Sequence, residues 1–226
     1  MDLEYGDQYN DFREEVKAFL AENRKKRPVG GFYEWPQKER SEWMNLQIDA
    51  GYWARTIPKE FGGYGADPDI LNTVIMDEEF NQAGVPRGAM AQGPSMLVPT
   101  LLQHGTDEQR KRWIGPTMRG DVLWCQGYSE PGSGSDLASL QTSAIEDGDD
   151  FLINGQKIWT SGADKADMIF ALVRTEPDAK KHAGISYILL SMDTPGIEIQ
   201  PLRTMSGGLG ENSFNQVFFT NVRVPK

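Results

Sequence analysis

The sequence predicts an α+β protein, with an all-helical N-terminal domain over residues 1–121 followed by an antiparallel β-barrel or β-sandwich domain over residues 122–226. Up to about residue 120, apolar residues recur at the three- and four-residue intervals of a helix. Beyond that point, short apolar segments alternate with turn residues, which is typical of strands. Because helices and strands fall in separate halves, we expect two domains rather than a βαβ fold.

Four helices are expected in the first half. Three begin with apolar stripes at helical spacing, at Tyr9, Trp43 and Ile70. A fourth begins at Thr106, because Thr106 and Gln109 form the capping-box pattern, and it extends to about Met118. Between the third and fourth helices, two prolines at positions 94 and 99 are expected to delay or kink any helix.

Short strands are expected in the second half. The dipeptides Asp147-Gly148 and Asn154-Gly155 both suit tight hairpin turns, because Asp, Asn and Gly tolerate positive φ. The expected strands are 140–146, 151–153, 156–161, 168–174, 185–191, 197–201 and 215–219.

The composition argues against several classes of protein. The net charge of -10 over 226 residues argues against non-specific binding to nucleic acid or to an anionic membrane surface. No apolar run is long enough for a membrane span, and the acidic start lacks the features of a signal peptide, so a cytoplasmic location is expected. The single cysteine, Cys125, is expected to be a buried residue with no disulfide partner.

Other chemistries lack their sequence signatures. There is no G-x-G-x-x-G motif after a strand and no G-x-x-x-x-G-K-[ST] phosphate loop. His104 and His182 are far apart and outside any metal-spaced cluster, so no metal site is expected. The tripeptide 132–134 (GSG) is too short for the nucleophile elbow of a serine hydrolase.

The segment 124–137 (WCQGYSEPGSGSDL) carries the first candidate site. It is expected to be a strand that leads into a loop rich in Gly and Ser. Such a loop brings the backbone close to a ligand and can direct successive N–H groups at an anion, with hydroxyl donors from Ser129, Ser133 and Ser135. A ligand that bears a phosphate is therefore reasonable, and a plain surface loop is the alternative.

The segment 155–164 (GQKIWTSGAD) carries the second candidate site. A Trp in a strand is ordinarily a core residue. Here Trp159 precedes two hydroxyl residues, Thr160 and Ser161. A large flat ring beside hydroxyl donors is suited to a planar heteroaromatic cofactor.

Together the two segments resemble the acyl-CoA dehydrogenase family, whose middle domain carries a T/S-E-P-G-x-G-S-D segment followed by W-x-T/S. Here these are 129–136 (SEPGSGSD) and 159–161 (WTS). Further matches lie upstream and downstream, so the resemblance spans the chain. They are 58–63 (PKEFGG), Glu78-Glu79 with Gly84, 105–109 (GTDEQ), 195–197 (PGI) and 221–225 (NVRVP).

The resemblance implies that FAD binds between the middle β-domain and a C-terminal helical domain. Gln126, Tyr128 and Ser129 are then placed beside the flavin ring, partly through backbone groups. The resemblance places Gly134 and Ser135 near the pyrophosphate, Trp159 beside the ring and Ser161 near the reactive flavin nitrogen. Thr160 is a further implied cofactor contact. Ser129 and Ser161 stand where many members have Thr, and Gln126 stands where an aromatic residue is common.

The substrate is implied to be an acyl-CoA, with Ser135 near its CoA moiety. Counting back without gaps places Gln92 at the far end of the family's acyl cavity. Its amide points to a substrate other than a plain alkyl chain, and the alternative is a surface amide at a helix start.

The implied reaction is FAD-dependent α,β-desaturation of an acyl-CoA thioester, with an electron-transfer flavoprotein as acceptor and a homo- or hetero-oligomeric assembly. The family's general base is usually a Glu in the C-terminal domain, beyond Lys226, so no catalytic residue is assigned here and the chain alone is not expected to oxidise acyl-CoA. The alternatives are a relative with another substrate, such as a nitroalkane-type oxidase, and a non-catalytic partner subunit.

Overall fold

The computed structural model describes residues 5–89, 91–205 and 214–226. The contacts within the chain divide it into two units, Met1–Asp121 and Val122–Lys226. The first unit is helical and the second consists of strands, which confirms the predicted fold class.

The described residues of the helical unit form five α-helices: α1 (Asp7–Asn23), α2 (Gln37–Asp49), α3 (Ile70–Gln82), α4 (Val98–His104) and α5 (Asp107–Arg119). The predicted capping box at the start of α5 is confirmed. Gln109 N donates to Thr106 Oγ1 at 3.2 Å, and Thr106 N donates to Gln109 Oε1 at 2.9 Å. The two side chains thus satisfy two amide groups that the helix leaves without partners.

The segment with two prolines departs from regular α-helix, as the sequence predicts. A short π-helical stretch, Gly93–Leu97, includes the first proline and leads directly into α4, which has the second near its start. Proline lacks an N–H group and is favoured where the helical hydrogen-bond pattern begins or is interrupted. The interruption limits α4 to seven residues.

Aromatic and apolar side chains of α1, α2 and α3 form the core of the helical unit. Trp43, Met44 and Phe80 are almost completely buried there. Arg13 of α1 forms ion pairs with Glu78, at 2.6 Å, and with Glu79, which is buried. Because a buried carboxylate needs a partner, this pairing fixes α1 against α3.

In the second unit, residues 122–205 and 214–226 form seven strands: β1 (Trp124–Gly127), β2 (Ser143–Asp147), β3 (Asp150–Ser161), β4 (Met168–Arg174), β5 (Ile185–Ser191), β6 (Ile197–Pro201) and β7 (Phe214–Pro225). They form one sheet in the order β1-β4-β2-β3-β7-β6, with β5 also paired to β4. Where the connections between these strands are described, the helical segments in them are short 3₁₀ turns.

Most strand pairs are antiparallel, as predicted, but the sheet is mixed. The pairs β2–β3, β3–β7, β4–β5 and β6–β7 are antiparallel, whereas β1 and β2 each pair with β4 in parallel. A parallel pair needs a long crossover connection. The chain between β1 and β4 supplies it, and the β2–β3 hairpin lies within that crossover.

The prediction of a hairpin at Asn154-Gly155 is wrong. The dipeptide lies inside β3, where the register with β7 shifts between Ile153 and Gly155. Gly155 has φ of 152°, and a Cβ there would lie 2.5 Å from Thr142 Oγ1. Glycine therefore permits a β-bulge and a close approach of two chain segments. The other predicted hairpin, at Asp147-Gly148, joins β2 to β3 as expected.

One face of the sheet packs into an apolar core, which includes Cys125, Ile169, Val173 and Val217. Cys125 is fully buried, and burial raises the pKa of its thiol. Cys125 is thus a core residue, as predicted, and its high pKa opposes thiolate chemistry.

Across residues 5–89, 91–205 and 214–226, no helix is long and apolar enough to cross a membrane. Within the same ranges, no three His, Cys, Asp or Glu side chains gather as a metal-binding group.

Candidate functional site

The Gly/Ser-rich loop that follows β1 folds back on itself. Glu130 N donates to Ser133 O at 2.8 Å, and Ser133 N donates to Glu130 O at 3.0 Å. The hydroxyl of Ser133 is buried and donates to Asp136 O at 3.0 Å. These bonds give the loop a defined turn. Ser133 is therefore engaged in holding the loop's own backbone.

A buried ion pair anchors the loop to β3. Glu130 and Lys157 have exposed fractions of 9% and 0%, and Lys157 Nζ donates to Glu130 Oε1 at 2.8 Å. The carboxylate also accepts from Gln141 N at 2.7 Å and from Thr142 N at 2.9 Å. Lys157 Nζ donates in addition to Tyr128 O at 3.1 Å. Charge and hydrogen bonds thus compensate for the burial of both groups.

Burial and ion pairing shift the pKa values of Glu130 and Lys157 in opposite directions. Burial raises the pKa of the Glu130 carboxyl, but hydrogen bonds from Lys157, Thr142 and Gln141 outweigh burial and leave that pKa below its ordinary value. Burial lowers the pKa of the Lys157 ammonium, and the hydrogen bond to Glu130 offsets this only in part. The site therefore favours an ionised carboxylate that accepts several hydrogen bonds.

Trp159 lies on a second β-bulge of β3. The register with β7 shifts between Lys157 and Thr160, and Trp159 has φ of 61°, a left-handed conformation that is rare for a bulky residue. Its side chain is 58% exposed, with one edge against the ring of Phe214 at a centroid distance of 5.7 Å. Strained backbone that displays a large exposed aromatic ring is a mark of a functional site.

The two motifs that the sequence singled out are neighbours. Ile158 N, in the bulge, donates to Ser129 O at 2.9 Å. This bond joins the start of the SEPGSGSD loop to the residue that precedes Trp159. The structure thus brings together Ser129 and the WTS segment, which are separated by about 30 residues in sequence.

Gln126 lies in β1 and Tyr128 directly follows the strand, and both residues are half-buried. The Tyr128 ring contacts Phe170 and Tyr187 edge-on, at centroid distances of 6.0 and 6.4 Å. Burial raises the pKa of Tyr128, and hydrogen bonds with Tyr187 and Gln126 oppose that shift. Both side chains are thus engaged within the unit, and their contact with a flavin stays a prediction.

Thr160 and Ser161 differ in exposure. Thr160 is 1% exposed, and its Oγ1 is buried without a hydrogen-bond partner, whereas its carbonyl accepts from Asn215 Nδ2 at 3.1 Å. Ser161 is half-buried at the end of β3, opposite Phe214. Of the two hydroxyl groups, that of Ser161 is the more accessible to a ligand.

Gly134 and Ser135 lie on an exposed part of the loop. Ser135 lines a pocket of about 370 Å³, together with Leu172, His182 and Ile185. The residues that line the pocket are both apolar and polar, the latter being Ser135, Asp136 and His182.

Two family models match the chain. Residues 6–121 match the acyl-CoA dehydrogenase N-terminal domain, and residues 125–222 match the acyl-CoA dehydrogenase middle domain. The chain belongs to the acyl-CoA dehydrogenase family. The resemblance inferred from the two loop motifs is thereby confirmed.

Individual acyl-CoA dehydrogenases agree with the family models. The curated protein "Acyl-CoA dehydrogenase IpdE1" of Mycobacterium tuberculosis is 39% identical over 94% of this chain and 56% of its own length. The solved structure of the Tcur3481-Tcur3483 steroid ACAD matches all of this chain and 57% of its own, with 35% identity and a TM-score of 0.74. The ChsE4-ChsE5 complex from Mycobacterium tuberculosis matches with 34% identity, a TM-score of 0.74 and coverage of 100% and 56%. The chain thus spans about half the length of these relatives.

Gln92 lies in the helical unit, where it precedes the π-helical stretch. The residue is partly buried, and its Oε1 atom is buried without a hydrogen-bond partner. An unpaired buried acceptor is costly, so it is a site that a donor group of a ligand would satisfy. Its predicted role in an acyl cavity stays a prediction.

Sequence reasoning missed Lys157. The residue lies in a strand at an inward position, between buried Ile153 and buried Thr160. A lysine at such a position requires a carboxylate partner. That signal is present in the sequence, but nothing local identifies Glu130, 27 residues earlier, as the partner.

Proposed function

We propose that this chain forms the N-terminal helical domain (1–121) and the FAD-binding β-domain (122–226) of an FAD-dependent acyl-CoA dehydrogenase, which desaturates an acyl-CoA thioester between its α and β carbons. The observation that carries the proposal is the exposed Trp159 on a positive-φ bulge, hydrogen-bonded through Ile158 to the SEPGSGSD loop. Membership of the family supports the reaction class.

The residues present fit a flavin. An isoalloxazine ring is flat and largely apolar, with polar atoms at its edge. The Trp159 indole offers a flat exposed surface, and the hydroxyl groups of Ser129 and Ser161 offer hydrogen bonds beside it. The exposed backbone around Gly134 and Ser135 suits a pyrophosphate, since a Cβ at Gly134 would meet nothing within 4 Å.

The residues proposed to hold FAD are Gln126, Tyr128, Ser129, Gly134, Ser135, Trp159, Thr160 and Ser161. When bound, FAD supplies the hydride acceptor of the reaction. The protein's part is to orient the flavin and the thioester and to keep water from the ring. Trp159 would cover one part of the ring, and Ser161 would donate to its polar edge.

Glu130 is not proposed as the general base. Its carboxylate is buried and accepts hydrogen bonds from Lys157, Gln141 and Thr142. A base must have a free lone pair within hydrogen-bond reach of the substrate α-carbon. We assign the base to none of the described residues of this chain, in line with the family's usual C-terminal Glu.

The substrate is proposed to be an acyl-CoA with a polar or ring-bearing acyl group. Gln92 has a buried acceptor without a partner, which suits a donor on the acyl group rather than an alkyl chain. The similarity to a steroid ACAD supports the same class of substrate. An electron-transfer flavoprotein is proposed as the electron acceptor.

A second candidate is a partner subunit in a hetero-oligomer. The similarity to the ChsE4-ChsE5 complex favours it. In that case this chain would still bind FAD, but turnover would require a second, different chain. Mass measurement of the native assembly, followed by an activity assay of each separated chain, distinguishes the two candidates.

The test of the proposed function is FAD binding by the native protein. We expect FAD in the purified protein, and we expect the double variant Trp159→Ala/Ser135→Ala to lose most of it. Ile145→Ala is the control, because Ile145 is an exposed apolar residue on β2 of the same unit and outside the proposed site. Equal FAD content in the double variant and the wild type would contradict the assignment of the site.

A further inference from the structure

We propose that Lys157 is a positioning residue of the flavin site, whose buried ammonium holds the residues on both sides of Ser129 and so fixes the backbone that faces the cofactor. This inference rests on the proposed function. It concerns a residue that contacts the loop and is not proposed to contact FAD.

The contacts of Lys157 flank Ser129. Its Nζ donates to Tyr128 O at 3.1 Å and to Glu130 Oε1 at 2.8 Å. Between them, the carbonyl of Ser129 accepts from Ile158 N at 2.9 Å. Three consecutive residues of the loop are thus tied to two consecutive residues of β3. Ser129 has little freedom to move unless these bonds break.

Stability alone does not account for the buried pair. Removing Lys157 and Glu130 from water costs free energy that their attraction only partly returns, and apolar side chains of similar size commonly stabilise such sites as well or better. Lys157 is nevertheless completely buried in a strand whose other inward residues are mostly apolar. What the ammonium adds over an apolar side chain is directional hydrogen bonding to two particular loop oxygens.

The same residue is coupled to Trp159. Lys157 is the last residue of β3 in regular register before the bulge, and Trp159 follows two residues later with φ of 61°. The bulge is held on one side by the Ile158–Ser129 bond and on the other by the bond from Asn215 to Thr160 O. A change at Lys157 should therefore displace both the loop and the indole that the proposed flavin contacts.

The experiment compares Lys157→Met, Glu130→Gln and the double variant Glu130→Gln/Lys157→Met with the wild type in the native protein. For each, the FAD dissociation constant of the apoprotein, the midpoint potential of bound flavin and the melting temperature are measured. Arg223→Met is the matched control, because Arg223 forms an exposed ion pair with Asp147 and Asp150 in the same sheet, outside the loop.

Lys157→Met is expected to weaken FAD binding roughly ten-fold or more, the equivalent of losing one hydrogen bond to a charged group, and to shift the midpoint potential. The double variant is expected to regain the melting temperature, since it no longer buries an unpaired carboxylate. Its FAD affinity and potential should stay altered, because the bond to Tyr128 O is still missing. The control should match the wild type.

A merely structural role predicts a different pattern. FAD affinity and midpoint potential would then recover together with the melting temperature in the double variant, and that result would overturn the inference. If Lys157→Met alone does not fold, the double variant carries the comparison. If the wild type binds FAD, and both Lys157 variants have unchanged FAD affinity and midpoint potential, the role of Lys157 is overturned and the proposed function is left intact. Wild-type protein that does not bind FAD would overturn both.

Discussion

Because the backbone of Trp159 is left-handed, substitution by Gly and by Ala should reverse the order of stability that these two residues have in an ordinary strand. In an ordinary strand, Gly is less stable than Ala by roughly 0.5–1 kcal/mol, because glycine loses more backbone entropy on folding. At Trp159, with φ of 61°, every residue with a Cβ is strained, by about 1–2 kcal/mol. We therefore expect Trp159→Gly to be more stable than Trp159→Ala by about 1 kcal/mol.

Both variants should be less stable than the wild type in the absence of ligand. About two fifths of the Trp159 side chain is buried, and its ring contacts Phe214 edge-on. Burial of roughly 100 Å² of apolar surface contributes about 2.5 kcal/mol, and the ring contact about 1 kcal/mol. This loss exceeds the net advantage of glycine over alanine at this position, so Trp159→Gly should be destabilised by about 2.5 kcal/mol overall.

Urea unfolding of the FAD-free native protein and of both variants measures these differences. Each variant is also assayed for FAD affinity, which should fall in both because the indole is gone. If Trp159→Ala proved more stable than Trp159→Gly, the strain argument would be refuted. Loss of stability without any change in FAD affinity would show that the indole is only a packing residue.

Three further predictions concern the bulge, the ion pair and the helix cap. Gly155→Ala should destabilise the protein by about 2 kcal/mol or more in thermal unfolding, because the backbone at Gly155 is strained for other residues and the new Cβ would meet Thr142. Gly148→Ala, in an open hairpin turn, is the control and should cost only about 1 kcal/mol. Equal losses of stability in the two variants would contradict the close approach of Gly155 to Thr142. The pKa of the Glu130 carboxyl is lower in the folded than in the unfolded protein. The stabilisation that the ionised carboxylate gives the folded protein is therefore complete above the unfolded-state pKa, and it is lost as the pH falls through the folded-state pKa. Unfolding of Glu130→Gln should therefore depend less steeply on pH in that acid range, and an unchanged slope would count against the pair. Thr106→Ala removes the cap of α5 and should cost about 1 kcal/mol in urea unfolding, with no change in FAD affinity.

Features that depend on local sequence could be predicted. The capping box at Thr106 and the hairpin at Asp147-Gly148 each involve residues a few positions apart, and both are confirmed. The predicted helices and most predicted strands follow from spacing along a single segment. The fold class follows from the separation of these segments into two halves.

Features that depend on contacts between residues distant in sequence could not be predicted. The parallel pairing of β1 with β4 joins residues more than 40 positions apart. The Asn154-Gly155 dipeptide has the same local preference in a turn and in a bulge, and the approach of Thr142 decides between them. Likewise, the sequence marked Trp159 as a candidate, but its exposure and positive φ come from the register of β3 against β7.

The candidate site was predicted from its sequence motifs, and not from the hydrogen bonds and the ion pair that hold those motifs in place. The SEPGSGSD and WTS segments were found from residue type and resemblance. The bond between Ser129 and Ile158, and the anchoring of the loop by Lys157, depend on tertiary packing. A strand pattern reveals that Lys157 faces inward but not what it meets there.

The proposed function requires that the native protein is a flavin-dependent acyl-CoA dehydrogenase whose cofactor lies against Trp159. Anaerobic titration of the purified protein with a panel of acyl-CoA thioesters, followed by flavin absorbance, tests it most directly. We predict that at least one acyl-CoA bleaches bound FAD in the wild-type native protein, and that Trp159→Ala weakens FAD binding. Bound flavin that no acyl-CoA bleaches, or a native protein that binds no flavin, would contradict it.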